Sequence, residues 1–393
     1  MLTDEEQGSR KLIYLDNAST TFPKPPEVIK YMLEFYANYG VSPGRVGSGI
    51  AAKAAEVVDR SREHLTKMFG GRTPSRLIFG YNITDSLNLL VNSVLKEGDH
   101  AVCTSLEHNA VLRPLYFLKD HRDLELDIVP FDQYGFIDPG EVESVLRDNT
   151  KLVLMIHGSN VLGTVQPISE VGAICRKRNI LFATDTAQTA GIVPIDVNGM
   201  NLDMVCFTGH KSLLGPTGIG GMYVRDGIKI IPTRSGGTGI LSELREQPEE
   251  FPYCLEFGTP NLLGIAGLLA AQEWIASQGG IGKLHEREMG LIHHLYDGLS
   301  KIDDIEIYGP ELDMDRLPLL SFNIKGRSAS ETGRILDVEY NIANRSGLHC
   351  APLVHQALGT YESGGTVRLS VGPFNTEEEM DITLGAIKEI ASR

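Results

Sequence analysis

The chain has 393 residues, 42% hydrophobic and 22% charged, ordinary globular proportions that exclude a disordered, collagenous or low-complexity protein. Its 36 Lys and Arg face 51 Asp and Glu, a formal net charge of −15, and a field of that sign repels nucleic acid and anionic lipid. Neither is expected as a partner, although a local cleft can still hold a small anion.

The segment Met1 to Arg10 is acidic and polar, without the basic region and apolar run of a secretion signal, and no stretch is apolar for the ~18 residues that a bilayer span needs. A cytoplasmic location is expected. Residues 26–39 and 50–68 read as two helices joined by the Gly-rich loop Val41 to Gly49. From about residue 75 to 225, apolar runs of strand length alternate with amphipathic helical stretches. The strand-like runs start near Arg76, Asp99, Leu126, Lys151, Asn179, Asp203 and Ile219. Such alternation predicts a mostly parallel sheet covered by helices. One crossover helix presents Leu87, Leu90, Val91, Val94 and Leu95 on one face. Residues 226–260 are Gly- and Pro-rich, two long helical patterns run from Asn261 to Ser300, and the remainder reads as a smaller α+β unit.

Ligands of open α/β sheets bind beyond the carboxyl ends of the strands, and there the chain turns polar: Gly158-Ser-Asn160, Asp185 with Gln188, and Thr208-Gly-His-Lys211. Lys211 follows a buried strand, where desolvation lowers a lysine pKa and makes the amine a nucleophile toward an aldehyde. Asp185 stands where a pyridine nitrogen needs a permanent anion. The two describe a pyridoxal phosphate site, with a structural Lys–Asp ion pair as the alternative. Thr84 and Asp85, opening a helix after a strand, offer an anion free N–H groups and a helix dipole; Thr84 also reads as a plain N-cap. The turn Gly215-Pro-Thr-Gly-Ile-Gly-Gly221 lacks the ending of a phosphate loop and is read as a tight turn.

Five cysteines at wide spacings, without C-x-x-C, fit neither a disulfide framework nor a zinc cluster, so free thiols are expected. Cys103, Cys206 and Cys175 read as core filler. Cys350 sits in a loop beside His349 and near Arg345, surroundings that favour a reactive thiol. With His349 and His355 it supplies too few ligands for a metal. Arg368, alternating with apolar neighbours, reads as an ion pair at the core edge or a fork for a carboxylate.

Six runs in order, Ser159-Asn-Val-Leu-Gly-Thr164, Asp185-Thr-Ala-Gln188, Thr208-Gly-His-Lys211, Gly215-Pro-Thr-Gly-Ile-Gly220, Phe257-Gly-Thr-Pro-Asn261 and Arg345-Ser-Gly-Leu-His-Cys350, resemble the cysteine desulfurases and selenocysteine lyases of the class V aminotransferase group. The short cysteine loop is similar to that of the second group of the family. The resemblance runs from about residue 13 to the C-terminus. It implies the pyridoxal phosphate fold type I: a large cofactor-binding domain over 21–259 with a mostly parallel sheet, and a small α+β domain from 1–20 and 260–393.

It further implies that Lys211 binds pyridoxal 5′-phosphate covalently, that Asp185 pairs with its ring nitrogen and Gln188 with its phenolic oxygen, and that His108 stacks on the ring. Thr84, with Asp85, and Thr208 and His210 would serve the phosphate. Thr259 would reach the phosphate of a neighbouring subunit, which implies a homodimer. Asn160 and Arg368 would hold the substrate carboxylate, with Arg345 and Arg45 nearby, and Cys350 would accept sulfur, with Lys211 and His108 as proton carriers. The implied reaction takes sulfur from L-cysteine to give L-alanine and a persulfide on Cys350, for delivery to an acceptor protein. Selenocysteine lyase is one alternative, and a C–S β-lyase or aminotransferase that does not use Cys350 is another. The chain departs from the family at Tyr81-Asn-Ile-Thr-Asp-Ser86, where Gly-Thr-Thr-Glu-Gly is usual, and at Gly44-Arg-Val, where His-Arg-Gly is expected.

Overall fold

The computed structural model describes residues 11–43 and 49–393; Arg45 lies outside them. The chain begins with a short strand, β1 (Ile13–Tyr14), then two helices, α1 (Pro26–Tyr39) and α2 (Gly49–Met68). The central alternation follows: β2 (Leu77–Gly80), α3 (Ile83–Val94), β3 (His100–Thr104), α4 (Asn109–Arg122), β4 (Glu125–Val129), α5 (Pro139–Ser144), β5 (Thr150–Ile156), α6 (Ile168–Arg178), β6 (Leu181–Asp185), β7 (Met204–Thr208) and β8 (Gly220–Val224). After the long irregular segment come α7 (Leu262–Ser277), α8 (Ile281–Leu299), β9 (Ile305–Tyr308), β10 (Leu319–Ile324), α9 (Ala329–Tyr340), β11 (Ile342–Ala343), β12 (Arg345–Gly347), α10 (Pro352–Ala357), β13 (Thr366–Ser370) and α11 (Glu377–Ala391).

The large sheet has the order β2-β8-β7-β6-β5-β3-β4, and β8 alone runs antiparallel to its neighbours. β3, β5, β6 and β7 are buried along almost their whole length, which is why their sequences read as continuous apolar runs and not as alternation. The α3 face carrying Leu87, Leu90 and Val91 packs into the core with Met204, Cys206 and Met222 of the sheet; burying such side chains stabilises by about 1.5–3 kcal/mol each. Helices stop where the backbone must turn sharply: α6 at Asn179 and α9 at Asn341, both left-handed.

The second sheet, β12-β13-β10-β9, is antiparallel, and β1 pairs with β11. The strand β1 therefore lies beside β11 of the C-terminal part of the chain. α7, which follows the expected boundary at 259, contributes Leu262, Ile265, Leu268 and Leu269 to the core under the large sheet. From β3 the chain steps outward to β4, then returns to β5 on the other side of β3 and continues to β6 and β7. The order reverses between β3 and β5, and a crevice at such a reversal is where α/β sheets bind ligands.

Candidate active site

The carboxyl ends of β5, β6 and β7, beside this reversal, carry the polar residues. Asp185 closes β6 and is 1% exposed. One carboxylate oxygen, Oδ1, accepts the Ala187 N–H at 2.8 Å, and burial pushes its pKa upward, opposed by that bond and by the charge of Lys211. Three residues past β7, Lys211 makes no side-chain hydrogen bond or ion pair among the described residues. The expected alternative of a structural Lys–Asp pair is therefore not what the two residues form. Burial pushes the Lys211 amine down to about 8, with Arg368 adding to the shift and Asp185, Asp16 and Cys350 opposing it.

Around them are buried polar atoms without partners: Thr208 Oγ1, His210 Nδ1, Asn160 Oδ1 and Arg368 Nε. An unsatisfied buried group costs about 1–3 kcal/mol, and several in one cleft mark a place built for a polar ligand. A hydroxyl and an imidazole suit a phosphate, a buried carboxylate suits a protonated pyridine, and an unpaired amine suits an aldehyde, so the residues present fit pyridoxal phosphate. Gln188 donates one Nε2 hydrogen to Ala18 O at 2.9 Å and retains a second.

His108 is the N-cap of α4, and its Nδ1 accepts the Ala110 N–H at 3.0 Å. That bond assigns the neutral tautomer with hydrogen on Nε2. Burial, helped by Lys211, Arg113 and Arg368, pushes its pKa down to about 4, so at neutral pH the ring is an uncharged donor through Nε2. Arg368, 3% exposed, forms an ion pair: Nη2 donates to Asp16 Oδ1 and Ser19 Oγ, each at 2.9 Å, and Nη1 to Asn160 O at 2.9 Å. Its Nε–H is left for a ligand.

Cys350 is the exposed one of the five thiols; Cys103, Cys175, Cys206 and Cys254 are buried. Leu348 O accepts the Ala351 N–H at 2.9 Å, and His349 (φ 49°) and Cys350 (φ 58°) are both left-handed. These are the marks of a type I′ turn, made here without glycine at a cost of about 1–3 kcal/mol per residue. Asn160 Nδ2 donates to His349 O at 2.7 Å, and the Asn109 N–H to Cys350 O at 2.7 Å. Such strain persists where surrounding structure holds it, and here two hydrogen bonds do.

The phosphate loop differs from expectation. The N-cap of α3 is Asn82, whose side chain accepts the Asp85 N–H, so Thr84 does not cap the helix and is exposed at its second position. Asn has the higher N-cap preference, and it stands one residue before the first helical position. Asp85 is ion-paired, its Oδ1 2.8 Å from Arg234 Nη1. Thr259 and Arg345 are exposed; Arg345 is the register partner of Arg368 across β12 and β13.

Sequence reasoning missed two groups. Glu107 is fully buried; its Oε1 accepts from Thr104 Oγ1 (2.6 Å) and the Ile156 N–H (2.9 Å), Oε2 has no partner, and burial pushes its pKa up to about 8. A charged residue three positions past the apolar strand β3 was the available signal. The other is the hydroxyl-rich run from Asp16 to Lys24 between β1 and α1.

The Aminotransferase class-V family matches residues 13–382. A probable cysteine desulfurase of Methanothermobacter thermautotrophicus is 33% identical over 97% of this chain and 95% of the relative, and a cysteine desulfurase of Escherichia coli O157:H7 is 31% identical over 98% and 95%. The apo structure of a cysteine desulfurase from Thermococcus onnurineus superposes with a TM-score of 0.90 at 31% identity, covering 97% of this chain and 95% of the other. The large mostly parallel sheet, the smaller antiparallel unit and the order of the motifs agree with these likenesses: the chain belongs to the class V aminotransferase family, among its cysteine desulfurases.

Proposed function

We propose that this chain takes sulfur from L-cysteine onto Cys350 and releases L-alanine, using pyridoxal phosphate held in the strand-end cleft. The carrying observation is the partnerless Lys211 amine with the buried Asp185 at the strand ends, together with the exposed Cys350 thiol on a turn tied to Asn160. The Asp185 carboxylate would pair with the ring nitrogen, Gln188 with the phenolic oxygen, Thr208 Oγ1, His210 Nδ1 and Thr84 with the phosphate, and His108 would lie against the ring. When bound, the cofactor supplies an electron sink that lets the Cα proton leave.

Every other task falls to the chain. Arg368 Nε–H and the second Asn160 amide hydrogen orient the substrate carboxylate. Lys211, with its pKa pushed down to about 8, is matched to proton transfer near neutral pH and moves the Cα proton, while His108 offers a hydrogen bond from Nε2. The thiolate Sγ of Cys350 forms a bond to the substrate sulfur; the substrate Cβ–S bond breaks with its electron pair left on carbon, and Cβ gains a proton. Alanine departs and the persulfide stays on Cys350, whose exposure suits handover to an acceptor protein.

A homodimer fits the same reading. Tyr81 is 74% exposed, and Ile231, Leu241 and Leu244 are exposed on the segment tied to α3 by the Arg234–Asp85 pair. A second copy covering this area would bring its Thr259 toward the phosphate. No helix among the described residues is long and apolar enough to cross a membrane, and a reducing cytoplasm would keep Cys350 a thiol.

Alanine and sulfide released from L-cysteine, with and without reductant, test the reading in wild type and Cys350→Ala. Alanine formation, reductant-dependent sulfide and loss of both in the variant support it. Full turnover by the variant, or pyruvate in place of alanine, would assign a β-lyase or aminotransferase. L-selenocysteine as the preferred substrate would assign a selenocysteine lyase.

A further inference from the structure

The segment Asp16 to Lys24 reaches Arg368, Gln188 and the His210–Lys211 backbone. Its Asp16 Oδ1 and Ser19 Oγ hold Arg368, and Ser19 Oγ donates to Asp16 Oδ1 at 2.7 Å. Ala18 O holds Gln188. Thr21 Oγ1 donates to Lys211 O at 2.8 Å. His210 O, the carbonyl of the peptide leading into Lys211, receives three donors: the Thr21 N–H at 3.1 Å, Thr20 Oγ1 at 3.1 Å and Lys24 Nζ at 2.6 Å. The strap is anchored on the small unit by Ala18 N–H to Ser370 Oγ (2.8 Å) and Asn17 Nδ2 to Ser370 O (3.0 Å).

A carbonyl oxygen has two lone pairs, so Thr20 and Thr21 already satisfy His210 O. Lys24 is half-buried and has no carboxylate partner among the described residues; burial alone pushes its amine down to about 8. Its desolvation is offset by no ion pair among the described residues, and its amine makes a third, charge-assisted bond to an already satisfied oxygen. Charge-assisted bonds are the stronger and more geometrically restrictive kind.

We propose that Lys24 is a positioning residue for Lys211, closing a strap that holds the His210–Lys211 peptide in register with Arg368 and Gln188. The proposal rests on the reading of Lys211 as the cofactor lysine. It makes the strap the element that fixes the distance between the group that binds the substrate carboxylate and the amine that handles the Cα proton.

Lys24→Met, Lys24→Arg and wild type, all freed of cofactor, are compared in three measurements: thermal midpoint, rate of pyridoxal phosphate capture followed by absorbance, and site-resolved acylation of Lys211 read by mass spectrometry. The expected result is an unchanged midpoint in Lys24→Met, capture and Lys211 acylation altered by about tenfold, as loss of one charge-assisted bond implies, and recovery of most of that change in Lys24→Arg. Wild-type capture and acylation in Lys24→Met would overturn the proposal. So would a change that follows a lowered midpoint and is not restored by Arg, since that is general destabilisation. If wild type captures no pyridoxal phosphate, the cofactor reading falls, while Lys211 acylation still decides whether the strap positions that amine.

Discussion

Asn160 Nδ2 donates to the carbonyl oxygen of His349 at 2.7 Å, tying the end of β5 to the strained turn that presents Cys350. Asn160→Ala removes that tie and leaves two left-handed residues with less to hold them. One hydrogen bond contributes about 1 kcal/mol, so the turn is expected to relax and alanine formation to fall by about tenfold or more. A steady-state assay beside thermal unfolding separates this from a global loss of stability.

Thr208 gives an opposite pattern in the two forms of the protein. Its buried hydroxyl has no partner without ligand, so Thr208→Val leaves the cofactor-free protein as stable as wild type or more so. The same change is expected to weaken pyridoxal phosphate binding by about tenfold, the worth of one charge-assisted bond to phosphate. Calorimetry on the cofactor-free protein and a binding titration read the two effects separately.

Glu107 and Asp185 set a pH dependence of stability. Both buried carboxyls have raised pKa values, Glu107 up to about 8. Unfolded carboxyls release their protons near pH 4–4.5, so between there and about 8 the folded state holds more protons than the unfolded one. Rising pH therefore removes the stability these two carboxyls contribute across that window, while His108, His157, His210 and His355, pushed down to about 4, contribute in the opposite sense below about 6.5. Relative to wild type, Glu107→Gln should therefore gain stability as pH rises from about 6.5 to 8, as chemical unfolding of the cofactor-free protein will measure.

The Lys211 amine, pushed down to about 8, must be uncharged to attack an aldehyde. Capture of pyridoxal phosphate by the cofactor-free protein should rise with pH and level off just above 8. An unperturbed lysine would keep rising toward ~10.4. Stopped-flow absorbance between pH 6.5 and 10 distinguishes them.

Asp16→Ala leaves the Arg368 guanidinium buried with its counter-charge removed. Breaking a buried pair on one side costs about 3–5 kcal/mol, and urea unfolding should show a loss of that size. Asp16→Asn, which keeps an acceptor, should lose less.

The sheet was legible because β3, β5, β6 and β7 are long apolar runs ending in polar residues, and the cluster Asp185, Gln188, Thr208 and Lys211 follows from where those runs stop. Local competition defeated the expectation at α3: Asn82, Thr84 and Asp85 are all helix-start residues, and only the backbone shows that Asn82 caps while Asp85 turns to Arg234. The strap was illegible for another reason. Its contacts join Asp16 to Arg368 and Lys24 to His210, residues far apart in the chain, and several end on backbone carbonyls, which leave no pattern in a sequence. The pairing of Arg368 with Asp16 likewise depended on bringing β13 beside the residues after β1.

The most direct measurement is the mass of the peptide bearing Cys350 after a single turnover of the pyridoxal phosphate-loaded protein with L-cysteine, without reductant. The expected result is a gain of one sulfur atom on Cys350, reversed by reductant, with one alanine formed per site. Alanine formed with Cys350 unmodified, or sulfur gained equally by other cysteines, would contradict the account.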